Sequence, residues 1–144
     1  MFKKVLFSII LTSVCAAPAL ARDDIGDYNI KEAMSSSAAK STLGNDVKFY
    51  FGSQKHSKVK SDLGEFKTNK KTNALNKSDK EACEWVFLSA MKTLKERAEK
   101  ENANAVVNIQ SNYKGNLTSS PETFKCGAGA FVAGVALTGQ VVKL

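Results

Sequence analysis

The stretch that opens at Ser78-Asp79-Lys80-Glu81 limits the fold more than any other part of the chain, because it specifies a long one-sided helix. The Ser78 hydroxyl is placed to accept from the Glu81 backbone amide while the Glu81 carboxylate reaches back, which is the arrangement of a capping box. Asp79 and Glu81 also suit the positive end of a helix dipole. From there Ala82, Trp85, Val86, Ala90, Leu94 and Ala98 recur at three- and four-residue steps, with Lys92, Lys95, Glu96, Glu99 and Lys100 largely opposite. The spacing predicts a helix from residue 79 to about Glu101. Trp85 and Phe87 are read as its core-facing aromatics rather than as a ligand-binding box. A helix of this kind must lay its apolar stripe on another layer, and the flanking segments read as strands.

Val47 to Phe51 (Val-Lys-Phe-Tyr-Phe) is rich in strand formers and stops at Gly52. Gly64 to Thr72 alternates Phe66 and Thr68 with charged residues and is expected to pair with that first strand. After the helix, Ala105 to Gln110 reads as a strand, and a polar loop follows through Gly115, Asn116 and Pro121. Phe124 to Leu144 carries no charge between Cys126 and Val142. It reads as a buried strand bending at glycine, with a membrane-inserted segment over 126–142 as the alternative. The earlier segment, Arg22 to Asn45, is read as a short, weak helix ending at Gly44-Asn45. The expected fold class is therefore α+β: a small antiparallel or mixed sheet of two N-terminal and two C-terminal strands, covered by one long amphipathic helix.

The N-terminus addresses the chain for export. Met1-Phe2-Lys3-Lys4 supplies a positive region, Val5 to Val14 an apolar run too short to cross a bilayer as a mature helix, and Ala19-Leu20-Ala21 a small-x-small cleavage site. Residues 1–21 are accordingly read as a signal peptide cut after Ala21, leaving a periplasmic or secreted protein. Cys15 raises a lipoprotein reading, but Val14 before it is larger than the lipoprotein peptidase prefers. An uncleaved anchor is the other rival, opposed by the Ala- and Pro-containing run from Ala16 to Ala21.

What remains, 22–144, has the size of one domain: a helical segment over 22–45 and the sheet with its main helix over 46–144. It keeps two cysteines, Cys83 and Cys126, and an even count in an exported domain predicts a disulfide. Neither lies in a C-x-x-C pair, and His56, the only histidine, stands alone in a polar loop. No metal site and no cofactor are expected.

The mature chain carries 19 Lys and Arg against 14 Asp and Glu, a net of +5, and the excess is concentrated. Nine lysines fall between Lys48 and Lys80, against Asp62, Glu65 and Asp79 alone. The core of the patch is Lys55, Lys58, Lys60, Lys67, Lys70 and Lys71. Two readings stand: attraction to an anionic envelope polymer, lipid headgroup or protein, or a lysine-decorated edge that blocks sheet-to-sheet association. The second is favoured. Export and the lack of arginine in the patch argue against nucleic acid.

The C-terminal half carries a resemblance. Ala98 through Ile109, with Ala103-Asn104-Ala105-Val106-Val107 its most specific part, is similar to the helix-end-to-strand signature of the YbjQ-like family. Thr138-Gly139-Gln140-Val141-Val142 resembles that family's last strand. The likeness spans residues 64 to 144. It implies the fold shared with the envelope-stress sensor lipoprotein of the Rcs phosphorelay, in which disulfides tie the main helix to the last loop and strand, where Cys83 and Cys126 fall. This chain departs from that lipoprotein in having no lipidation cysteine after a small residue, no Pro-rich tether and only one bridge. The family is also called heavy-metal-binding, and the clustered ligands for that role are missing. Relatives of this kind carry the label excinuclease ATPase subunit. There is no G-x-x-x-x-G-K-[ST] loop, and Gly127 to Gly134 lacks the lysine and hydroxyl that hold nucleotide and magnesium, so no nucleotide is expected.

A nucleophile beside a base is likewise missing, which excludes the usual hydrolytic designs. The expected function is a non-catalytic binding or adaptor module of the envelope, with a self-assembling homo-oligomer as the alternative and membrane insertion through 126–142 as the third reading.

Overall fold

The computed structural model describes residues 22–144, and the expected signal peptide over 1–21, with Cys15, lies outside the described residues. The predicted helix forms as α3, Asp79–Lys100, with the Ser78 hydroxyl accepting from Glu81 N at 3.1 Å. Its buried face is Ala82, Cys83, Val86, Phe87, Ala90, Met91, Leu94 and Ala98. Trp85 is a correction, for it stands 58% exposed. At about 100° per residue it lies roughly 160° round the helix from the centre of the buried face. Phe87 falls within that face and is buried.

Under α3 lies one curled, mixed sheet of seven strands: β1 (Asp24–Asn29), β2 (Lys48–Phe51), β3 (Ser61–Asn73), β4 (Ala105–Tyr113), β5 (Asn116–Thr118), β6 (Thr123–Ala128) and β7 (Val132–Lys143). The α+β class and the disulfide, Cys83 to Cys126, are both present. The sheet has three more strands than the sequence suggested. Strand β7 is its spine. Strand β3 runs antiparallel along one side of it, while β4 and β6 share the other side. Residues 126–142 thus form most of a β6–β7 hairpin in the sheet, and no described helix is long and apolar enough to cross a membrane.

The expected pairing of the first two strands does not occur. Strand β2 pairs in parallel with β4, and β3 lies beyond it on the far side of β7, with β4 and β7 between the two. A tight hairpin needs a loop of two to five residues, whereas residues 52–60 separate these strands and can span about 30 Å. The parallel register of β2 and β4 is then closed by α3 as the crossover helix.

The N-terminal segment also differs from expectation. Asp24–Asn29 is a strand on β6, and two short helices follow in place of one: α1 (Ile30–Met34) and α2 (Ser37–Leu43). Asn29 caps the first by accepting from Glu32 N at 2.8 Å, and Ser36 caps the second by accepting from Ala39 N at 3.0 Å. Gly44, with φ +58°, ends α2 in a conformation that other residues rarely adopt.

Two glycines let layers meet. A Cβ at Gly139 on β7 would fall 2.6 Å from Val106 Cγ1, beneath α3. On the other face a Cβ at Gly127 would fall 1.9 Å from the Tyr113 hydroxyl, which donates to Asp23 Oδ1 at 2.9 Å. Lys114 pairs with the same carboxylate, so the start of β1 is held to the end of β4.

That anchor titrates. Burial first, then the Asp23 hydrogen bond and charge, push the Tyr113 hydroxyl up to about 12, while bonds from Lys114 and Tyr113 hold Asp23 below the usual carboxylate range. A raised folded-state pKa contributes stability that is complete below the unfolded value of 10.0 and is lost as pH climbs through about 12. Urea unfolding across that window is expected to show the stability advantage of the wild type over Tyr113→Phe shrinking as pH rises. A constant difference would remove the anchor's role.

Candidate anionic-partner face

The lysine-rich sequence does not fold into one cluster. Strand β3 is an edge strand, bonded only to β7, and its alternation divides the lysines between two faces. Phe66 and Thr68 turn towards α3, where the Arg97 guanidinium lies 3.9 Å over the Phe66 ring. Lys70 shares their side and is half-buried. Lys67 and Lys71 stand exposed on the opposite face with Glu65 and Asn69. Lys55 is exposed early in the 52–60 loop, so with the cleft described next the six candidates occupy four places.

The fourth place is a cleft of about 590 Å³ at the Ser61 end of β3, where Lys58 and Lys60 meet Lys48, Asp46, Tyr50, Asn104 and Leu144. Its floor is the small apolar cluster of Ala105, Val107 and Val142, with Tyr50, Val59 and Leu144 packed on it. Asn104 clamps the chain end, its Oδ1 accepting from Leu144 N at 2.8 Å and its Nδ2 donating to Leu144 O at 3.3 Å. Lys60 N donates to Lys143 O at 2.7 Å, which pins the loop over the cleft. His56 is exposed, 5.4 Å from the Tyr50 ring, with Nδ1 2.8 Å from the Ser57 carbonyl. Since a carbonyl only accepts, Nδ1 carries a proton there.

Contact ion pairs are missing from this face, as they are from Lys31, Lys40, Lys77, Lys100 and Lys143 elsewhere among the described residues. Among the described residues, Arg22, Lys80, Lys92, Lys95, Arg97, Lys114 and Lys125 each hold a carboxylate within 4.0 Å. None of Lys48, Lys55, Lys58, Lys60, Lys67, Lys70 or Lys71 does. Their field is therefore directed outward, and it is screened over about 8 Å at physiological salt. The same arrangement protects an exposed strand edge against pairing with another sheet.

Two surface features escaped the sequence reading. Trp85, with Ala33, Ala38 and Leu88, lines a groove of about 360 Å³ between the short helices and α3. Helical phase alone places Trp85 outside the core. The other is an apolar end of the sheet formed by Leu75, Phe131 and Val132, all exposed. Phe131 lies in the uncharged 126–142 run, where glycine signals a bend but not the full turn after Gly129 that turns this side chain out to solvent.

Among the described residues no group of three or more His, Cys, Asp or Glu side chains stands together as a metal site. The fold and face define a disulfide-linked α+β domain with a lysine-rich surface free of contact ion pairs among the described residues. Comparison with protein-family models, with curated proteins and with solved structures finds no match for this chain.

Proposed function

We propose that this protein is an exported, non-catalytic binding or adaptor module of the periplasm, presenting its lysine face to an anionic component of the cell envelope. The observation that carries the reading is the concentration of Lys48, Lys55, Lys58, Lys60, Lys67, Lys70 and Lys71 within residues 48–71, none of them with a carboxylate within 4.0 Å among the described residues. The periplasmic assignment is supported by the signal-like N-terminus and by the buried Cys83–Cys126 bridge, which needs an oxidising compartment to persist. A non-catalytic role is supported by His56, the only imidazole, engaged with the Ser57 carbonyl and the Tyr50 ring. The YbjQ-like resemblance belongs to this reading too, since its Ala103–Val107 signature is the turn by which α3 enters β4.

The test is partitioning of the oxidised protein onto an isolated envelope fraction at low and high salt, with Lys58→Glu, Lys60→Glu and Lys67→Glu combined as the variant. Retention is expected at low salt, and the triple reversal is expected to weaken it by roughly tenfold or more. Salt-independent partitioning would sink the reading.

A further inference from the structure

The edge strand β3 runs from the lysine cleft at Ser61 to a different chemistry at Asn73. There the turn after β3 and the β6–β7 turn lie side by side. Asn73 pairs with Val132, and Ala74 N donates to Phe131 O at 2.8 Å. Within each turn Leu75 N donates to Asn73 Oδ1 at 2.8 Å and Gly129 N to Val132 O at 2.9 Å. These bonds hold the backbone while the side chains point out: Phe131 is 68% exposed, Leu75 49% and Val132 49%. The three share a depression of about 520 Å³ with Lys71, Thr72 and Asn73. Scattered apolar residues on a surface are ordinary, but a contiguous group at one end of a molecule marks a contact site.

Charge selects the occupant. Lys71 lines the depression without a carboxylate within 4.0 Å, and Lys77 adds a second cation, its Nζ donating to the Asn73 carbonyl at 2.8 Å. The nearby acids Asp24 and Asp79 are both paired with Arg22. A second copy placed tip to tip would bring the lysines of both molecules together, a like-charge contact that disfavours self-association. An anionic bilayer surface meets both demands, because headgroup phosphates take the ammonium groups while acyl chains receive the apolar side chains.

We propose that Leu75, Phe131 and Val132 form a membrane-docking tip that enters the interface of an anionic phospholipid bilayer, steered by Lys71 and Lys77. The proposal rests on the anionic-partner reading and names the partner as lipid.

The oxidised protein is mixed with phosphatidylcholine vesicles, with vesicles containing about one third phosphatidylglycerol, and with dextran sulfate. Sedimentation with the anionic vesicles is expected. Leu75→Asp with Phe131→Asp should weaken it by more than about tenfold, and Lys71→Gln or Lys77→Gln by about fivefold each. Phe131→Trp in a Trp85→Phe background should show blue-shifted emission on anionic vesicles and quenching by brominated acyl chains, a readout that does not depend on the aspartate variants folding. Dextran sulfate binding without vesicle binding overturns the lipid tip and leaves the broader reading standing. Binding to neither overturns both. Vesicle binding indifferent to the aspartate pair, or a dimer that this pair dissolves, also overturns the tip, the latter in favour of a second copy.

Discussion

Replacing Cys83 and Cys126 together by alanine is expected to lower the unfolding free energy by about 4 kcal/mol, the chain-entropy value for a closed loop of this length. The bridge joins the first turns of α3 to β6 across a sequence separation of 43, and both cysteines are fully buried. It therefore ties the crossover helix to the strand that carries β1. A domain of this size has about 5–15 kcal/mol of stability in all, so the loss is a large fraction of the total. Because the bridge acts mainly on the denatured chain, the variant should also show a steeper urea dependence, having more surface to expose. Urea unfolding of the oxidised protein, the reduced protein and the double variant measures this. A difference under about 1 kcal/mol would mean that the unfolded chain is compact whether or not it is bridged.

Phe87→Ala is expected to cost about 3–5 kcal/mol. Phe87 stacks on Phe124 with ring centroids 4.1 Å apart and tilts against Phe51 at 6.0 Å, and Phe124 in turn stacks on Tyr28 at 5.8 Å. This aromatic row links β2 through α3 to the paired strands β6 and β1. Truncation leaves a cavity at the centre of the row which its sheet-anchored neighbours cannot collapse to fill. A double-mutant cycle with Phe124→Ala should return a coupling of about 0.5–1.5 kcal/mol beyond simple area loss. Additive effects would show that the row is only a set of separately buried rings.

The elements legible in the chain are those whose signals are local. Ser78 and the apolar steps after it predict α3 to within a residue of its end, and Val47–Phe51, Gly64–Thr72 and Ala105–Gln110 each fall on an observed strand. Trp85 is misplaced because its three-residue step from Ala82 reads as part of the apolar stripe, whereas the angle summed over the whole stripe puts it on the far side of the helix. Strand β1 was not legible. Asp24, Gly26 and Asp27 disfavour a strand intrinsically, and only the register with β6, Asp24 to Ala128 through Asn29 to Thr123, makes it one. Within the lysine face, the opposite orientation of Lys70 from Lys67 and Lys71 follows from strand alternation. The meeting of Lys48, Lys58 and Lys60 with Asn104 and Leu144 does not, since it draws on four separate stretches of chain.

By itself the sequence determined the long capped helix, the α+β class, the two cysteines of the bridge and the concentration of positive charge, all of which depend on residue type and near-neighbour spacing. Tertiary structure alone decided that β2 pairs with β4, that β7 is the spine, and that Leu75 meets Phe131. The reason is physical: backbone ladders are chemically alike, so the choice of partner rests on which pairing buries the most apolar surface for the whole chain at once.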